Sequence, residues 1–281
     1  MELIKTKANL KLHRSKLGIK GGVIGFAPTM GALHQGHLSL IDTAAKISDY
    51  VIVSIFVNPT QFNDPNDLRN YPRDLEKDLS LISEQGKTYA VFTPEVNDIY
   101  PEPDVRKFDF SNLDKVMEGA FRQGHFNGVA QVVSKLFDII QPHKAFFGQK
   151  DFQQLAIIRQ LVKMMNSDIE IISCPIIREN DGLAMSSRNI LLSPEERIHA
   201  ANISQILFKS KEMAKSLEID KLTEWVIKEI NNVPLLQLEY FQIVDSLTLM
   251  PSEKWSQPGD KQGCVAVKIG KVRLIDNIKF D

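Results

Sequence analysis

The chain is poor in cysteine. It has two in 281 residues, Cys174 and Cys264, far apart and without metal-ligand spacing. That excludes a disulfide-stapled scaffold and a cysteine-based zinc site, and it leaves two small buried apolar residues in a reducing compartment. No apolar run reaches the roughly 18 residues of a membrane span. Charge of one sign is also missing: 34 basic and 35 acidic residues leave a net charge of −1. No general basic field is therefore available for a polyanion, which argues against a nucleic-acid partner. There is no G-x-x-x-x-G-K-[ST], no G-x-G-x-x-G and no G-x-S-x-G, so the P-loop, the dinucleotide fingerprint and the nucleophile elbow are all set aside. The basic N-terminal stretch MELIKTKANLKLHRSKLGIKGG lacks a continuous apolar segment and a cleavage pattern. It reads as structure rather than a targeting signal, and the expected location is cytoplasmic.

What is present is an ordinary globular composition, 43% hydrophobic and 25% charged, in a chain long enough for one large or two modest domains. GGVIGFAPT (21–29), YVIVSIFVNP (50–59), YAVFTP (89–94), KAFFG (144–148) and DIEIISCP (168–175) read as strands. The second has no polar alternation except Ser54, as suits a strand buried on both faces. Helical spacing fills the intervals at 36–47, 74–85, 126–140 and 151–165, with Asp151 as a helix cap. This β-α rhythm predicts an α/β fold, a doubly wound parallel sheet over residues 1–176. A smaller α+β domain follows at 177–281. Its first helix starts at SPEER, with Ser193 as cap, Pro194 next and Glu196 completing a capping box. Its strands are expected at 238–245, 263–270 and 272–278.

Four stretches at strand ends carry chemistry. In PTMGALHQGH (28–37), Gly31 and Gly36 admit close backbone approach, and the following helix offers free N–H groups and a positive dipole end to a phosphate. His34 and His37 add donors there; a metal pair and plain structural packing are the competing readings. In FVNPTQF, Asn58 and Gln61 suit a hydroxyl or a carboxylate, although Asn-Pro also starts turns. In FFGQKDFQQ, Gly148 turns the chain so that Lys150 and Asp151 stand at a helix start with Gln154 one turn on; a capped helix with a solvated lysine is the alternative. In DGLAMSSRN, Ser186, Ser187 and Arg188 offer two hydroxyls and a guanidinium to a phosphate.

Taken in order, PTMGALHQGH, FVNPTQF, YPRDLEKDL, HFNGV, FGQKDFQQ, IREND and GLAMSSRN resemble the pantothenate synthetase (pantoate–β-alanine ligase) family. The likeness covers the first 200 residues or so. It implies a Rossmann-like, HUP-type fold and an ATP-dependent ligation: pantoate and ATP give pantoyl adenylate and pyrophosphate, and β-alanine then gives pantothenate and AMP. It also implies that His37, His34, Lys150, Ser187 and Arg188 act on the transferred group. An ATP site would be lined by Met30, Gly31, Ala32, Leu33, His34, Gln35, Gly36, His37, Gly148, Gln149, Lys150, Asp151, Ile177, Met185, Ser186, Ser187 and Arg188. Gln61, Gln154 and Met30 would border pantoate, and Gln61 also β-alanine. Mg2+ would travel with ATP through its phosphates, with Asp78 either reaching it through water or standing exposed on its helix. The expected partners are small-molecule substrates and a second copy of the chain as a homodimer, with no nucleic acid and no membrane.

The sequence departs from the family pattern at Gln131, where a threonine is expected; this reads as a change at the edge of the pantoate pocket or as nothing. The C-terminal region offers no motif to align. The competing functions are a nucleotidyltransferase of the same H-x-G-H group acting on a phosphorylated acceptor, and an inactive nucleotide-binding regulator.

Overall fold

Apolar runs and amphipathic runs become strands and helices in the computed structural model, which describes residues 1–16, 22–85 and 90–280. In chain order these are β1 (Glu2–Ile4), α1 (Lys7–Lys16), β2 (Ile24–Thr29), α2 (Gln35–Ile47), β3 (Tyr50–Ile55), α3 (Pro65–Asn70), α4 (Leu75–Glu84), β4 (Ala90–Phe92) and α5 (Val96–Ile99). Then come α6 (Met117–Phe121), α7 (His125–Ile140), β5 (Lys144–Gly148), α8 (Phe152–Met164) and β6 (Glu170–Cys174). The C-terminal elements are α9 (Pro194–Met213), α10 (Ile219–Asn232), β7 (Leu236–Asp245), β8 (Lys261–Ile269) and β9 (Val272–Phe280). By contacts the chain forms two units, one of Met1–Phe110, Arg122–Gln149 and Ile157–Pro175, the other of Ser111–Phe121, Lys150–Ala156 and Ile176–Asp281.

The first unit is built on a parallel sheet in the order β1-β4-β3-β2-β5-β6. Ala27, Val51, Val53 and Val91 pack against Leu38, Ile41 and Ala44 of α2 and Ile82 of α4. Phe26, one residue from Ala27, points to the opposite face and meets Phe137 of α7 edge-on, with ring centroids 6.3 Å apart. Helices therefore cover both faces, which is why the central strands lack polar alternation. From β2 the chain builds outward through β3 and β4, and from β5 it builds the other way to β6. The reversal lies between β2 and β5, which pair directly. In such sheets the ligand crevice lies outside the carboxyl ends at this reversal.

The second unit holds the antiparallel sheet β7-β8-β9. Val265, Val267 and Leu274 on one face pack against Ile203 and Leu207 of α9 and Leu222 and Val226 of α10. The other face carries Tyr240, Cys264 and Ala266 against Met117. The predicted capping box at α9 is present: Ser193 Oγ accepts from the Glu196 amide, and Glu196 Oε2 accepts from the Ser193 amide.

Several boundaries differ from those expected. The strand read over 50–59 stops at Ile55, because Asn58 caps a 3-10 turn at Pro59–Gln61. Helix α1 and the three-residue β1 lie within the basic N-terminal stretch. Gly21 and Tyr89, the first residues of two predicted strands, lie outside the described residues. Both cysteines are free and buried, and burial pushes both thiols up, which keeps them protonated and inert. Among the described residues no helix is long and apolar enough to cross a membrane.

Candidate active site

The turn between β2 and α2 is held by a residue that the sequence left undecided. Asp78, on α4, is 2% exposed. Its Oδ2 accepts from the Ala32 amide at 2.9 Å and its Oδ1 from the Leu33 amide at 2.7 Å. The exposed-aspartate reading is therefore corrected: each carboxylate oxygen accepts from a backbone amide of the turn. Burial pushes the Asp78 carboxyl up from its ordinary range, while the two amides pull it back. Gly31 sits at φ +82°, and a Cβ there would come within 2.9 Å of Asp78 Oδ2. Only glycine meets both conditions. Thr29 Oγ1 accepts from the Gly31 amide and donates to the Ser54 carbonyl, pinning the turn to β3.

His34 is the N-cap of α2, and its Nδ1 accepts from the Gly36 amide at 3.1 Å. His37 answers in the same capping box, with its Nδ1 accepting from the His34 amide at a long 3.4 Å. The ring centroids are 4.1 Å apart. A neutral imidazole whose Nδ1 accepts carries its proton on Nε2. Both rings, with tautomers assigned from these partners, therefore have Nε2–H as donor. The pair stands at the positive end of the α2 dipole. Gln35, between them, is exposed.

Gln61 is brought to Met30: its Nε2 donates to Met30 Sδ at 3.0 Å. Asn58 is the hub behind it and is fully buried. Asn58 Nδ2 donates to Gln61 Oε1 at 3.2 Å and to the Gly128 carbonyl at 3.1 Å. Tyr100 donates to Asn58 Oδ1 at 2.9 Å. HFNGV explains itself at this point. Gly128 lets α7 lie against the 3-10 turn, since a Cβ there would fall 2.3 Å from the Thr60 carbonyl oxygen. His125 Nδ1–H donates to the Gln61 carbonyl at 2.7 Å.

Gln131 has a structural job. Its Nε2 donates to the carbonyls of Asp104 and Arg106 at 2.8 and 2.9 Å. The Arg106 guanidinium holds the Asp104 carboxyl down at about 2. That contact contributes stability above the ordinary carboxylate range and loses it as pH falls toward 2. Gln131→Leu is expected to lower stability by about 1 kcal/mol, as two carbonyls lose their donor, and to leave the KM for the acid substrate unchanged. Thermal unfolding with steady-state kinetics checks both; a raised KM would return Gln131 to the substrate pocket.

Gly148 ends β5, at the strand reversal, and the amide of Gln149, the next residue, donates to the Cys174 carbonyl at 2.8 Å. Lys150, Asp151 and Gln154 belong to the second unit. Asp151 directly precedes α8, and its carbonyl accepts from the Leu155 amide at 3.0 Å, opening the helix. Lys150 and Gln154 are half-buried.

The polar loop after β6 is a hairpin, a feature the sequence reading missed. Arg178 bridges to Ala184, the Met185 amide donates to the Ile177 carbonyl at 3.0 Å, and the Glu179 amide donates to the Leu183 carbonyl. Ile177 and Met185 thus face each other across it. Ser186 then caps a 3-10 turn at Ser187–Leu191, its Oγ accepting from the Arg188 amide at 3.2 Å. The Ser186 O–H remains a donor by type. Among the described residues, no group of three or more His, Cys, Asp or Glu side chains is assembled to hold a metal ion.

Comparison with known proteins bears on the whole chain. A model of the family described as Pantoate-beta-alanine ligase matches residues 2–279. The pantothenate synthetase of Bacteroides fragilis (strain YCH46) is 53% identical over 280 residues, covering 100% of this chain and 99% of the relative. The crystal structure of pantothenate synthetase from Thermus thermophilus superposes with a TM-score of 0.93 at 38% identity, covering 100% of both chains. A Francisella tularensis pantoate-beta-alanine ligase, solved with beta-gamma ATP and beta-alanine, gives a TM-score of 0.83 at 37% identity over 99% of this chain and 97% of its own. With the sequence matched from end to end and the fold shared throughout, the chain belongs to the pantoate–β-alanine ligase family.

Proposed function

We propose that the strand-end residues divide the family reaction, the AMP-forming ligation of pantoate to β-alanine, as follows. A carboxylate is a poor acylating agent until one of its oxygens becomes part of a good leaving group. In the first step a pantoate carboxylate oxygen attacks the α-phosphorus of ATP. That oxygen–phosphorus bond forms as the bond to pyrophosphate breaks, giving pantoyl adenylate. In the second step the free amine of β-alanine attacks the acyl carbon, AMP leaves with the former carboxylate oxygen, and the amine loses a proton.

Charge moves onto phosphoryl oxygens in the first step, so positioned donors and cations do most of the work. His34 and His37 supply Nε2–H donors at the N-terminus of α2, with His37 leading. Lys150 adds a point charge; Ser187 and Arg188 add a hydroxyl and a forked guanidinium. The ATP site runs over residues 30–37, 148–151, 177 and 185–188. Gln61 and Gln154 hold pantoate beside Met30, and Gln61 extends to β-alanine. Neutral amides suit that place, because a lysine would pair with the attacking carboxylate and blunt it. Mg2+ comes with the nucleotide, mainly through phosphate oxygens and water. Residues 177–281 act as a lid that keeps water from the adenylate, and the working form is a cytoplasmic homodimer.

The observation that supports the reading is the reciprocal His34–His37 capping box, because it places two imidazoles, each with its Nδ1 as acceptor, at a helix N-terminus beside the strand reversal. Pyrophosphate release from ATP with pantoate alone tests it. Release in a burst equal to the enzyme concentration is expected, with AMP and amide following on addition of β-alanine. Absence of pantoate-dependent release would contradict it.

A further inference from the structure

We propose that Asp276 and Asn277, consecutive residues of β9, are positioning residues for the adenylation step, setting Lys150 and the 177–185 hairpin from opposite faces of one strand. The inference rests on the reading that Lys150 and Ser186–Arg188 meet the phosphates of ATP. Neighbouring strand residues point to opposite faces. Leu274 and Ile278 pack with α9 and α10, so Asp276, between them, shares that face. There it forms a bidentate pair with Arg178, at 2.6 Å from Nη1 to Oδ2 and 2.9 Å from Nη2 to Oδ1. Arg178 Nη1 also donates to the Gly182 carbonyl at 3.1 Å, and the guanidinium lies 4.9 Å from the centre of the Phe208 ring. The planar fork, gripped on both sides, fixes the tip of the hairpin. The register of that hairpin in turn sets where Ser186, Ser187 and Arg188 emerge.

Asn277 takes the other face. Its Nδ2 donates to the Lys150 carbonyl at 2.9 Å, and its Oδ1 accepts from Gln262 Nε2 on β8 at 2.7 Å. The Gln262 bond orients the amide, and the amide holds the backbone from which the Lys150 side chain leaves. Asp276 and Asn277 are 4% and 5% exposed. Buried polar groups at this density are costly unless fully paired, and apolar residues of the same size would serve the sheet as well. The pairing is spent on the two segments that carry the phosphate-binding groups. A misplacement of about 1 Å in such a segment can cost on the order of a hundredfold in rate.

The test is a mutant cycle on the rate of pantoate-dependent pyrophosphate release by the full-length enzyme, read as kcat and KM for each substrate. Asn277→Ala is expected to lower kcat roughly ten- to hundredfold with the KM for pantoate unchanged. Lys150→Ala, Asn277→Ala together should be no slower than Lys150→Ala alone, because Asn277 acts through Lys150. Asp276→Asn combined with Arg188→Ala should be non-additive in the same way. Asn277→Asp keeps the shape and the Gln262 bond but cannot donate to the Lys150 carbonyl; it replaces Asn277→Ala if that variant fails to fold and should show the same loss. Multiplicative losses, or a wild-type rate for the Asn277 variant, would overturn the positioning role while leaving the site intact. A wild-type rate for Lys150→Ala would overturn the site reading and this inference with it.

Discussion

Replacing His37 with alanine is expected to lower pantoate-dependent pyrophosphate release about 10²- to 10³-fold, the loss associated with one preorganised donor to a developing oxyanion. Binding of ATP should change far less, because the backbone of α2 and the other proposed phosphate ligands remain. The alternative explanation, damage to the helix, has a separate readout. The His37 Nδ1 accepts from the His34 amide at a long 3.4 Å, and loss of this half of the capping box should cost about 0.5–1 kcal/mol. Pre-steady-state pyrophosphate release, ATP titration and thermal unfolding on one preparation distinguish the two. A near wild-type rate would remove His37 from the mechanism. A collapse in stability with proportionate loss of activity would make it a structural cap.

Gly128→Ala should be nearly as damaging from a position that touches no substrate in the proposed site. The added Cβ would lie 2.3 Å from the Thr60 carbonyl oxygen and 2.8 Å from the Gln61 amide nitrogen. Both contacts are with backbone, so neither neighbour can swing away, and α7 must move off the 3-10 turn. Overpacking of this kind costs about 1–3 kcal/mol. The displacement would also break the frame that aims Gln61: the Asn58 bond to the Gly128 carbonyl and the His125 bond to the Gln61 carbonyl. The KM for pantoate should rise and kcat/KM fall on the order of a hundredfold, with the KM for ATP little changed. An unchanged KM for pantoate in the folded variant would show that Gln61 does not depend on this packing.

Local pattern carried most of the first unit's sheet, because β3 and its neighbours are buried on both faces and their composition says so. It failed where the determining contact is long-range. Asp78 reads as one acidic residue among several on an amphipathic helix; what makes it special is a pair of backbone amides more than forty positions earlier, and amides leave no side-chain signature. Asn58 was visible as a polar residue at a strand end, but its role as a hub depends on Gly128 and Tyr100. The 176–190 segment looked like an irregular polar loop because its hairpin pairs only a few residues. β1 is too short to give a period. Asp276 and Asn277 sat inside an expected strand as two polar residues of no stated purpose, since the partners that explain them, Arg178 and Lys150, lie 98 and 127 residues away. The inclusion of Ser111–Phe121 and Lys150–Ala156 in the second unit is likewise a property of tertiary contacts. The residues proposed to carry the chemistry stand out more than their supports, because donors and cations at strand ends are recognisable by type.

The most direct test of the account follows the oxygen. Pantoate labelled with ¹⁸O in both carboxylate oxygens is incubated with the enzyme, ATP and β-alanine, and the products are separated and weighed. Attack of the carboxylate on the α-phosphorus predicts one ¹⁸O in AMP, one retained in the amide product and none in pyrophosphate. Unlabelled AMP, or label in inorganic phosphate with ADP formed, would contradict it.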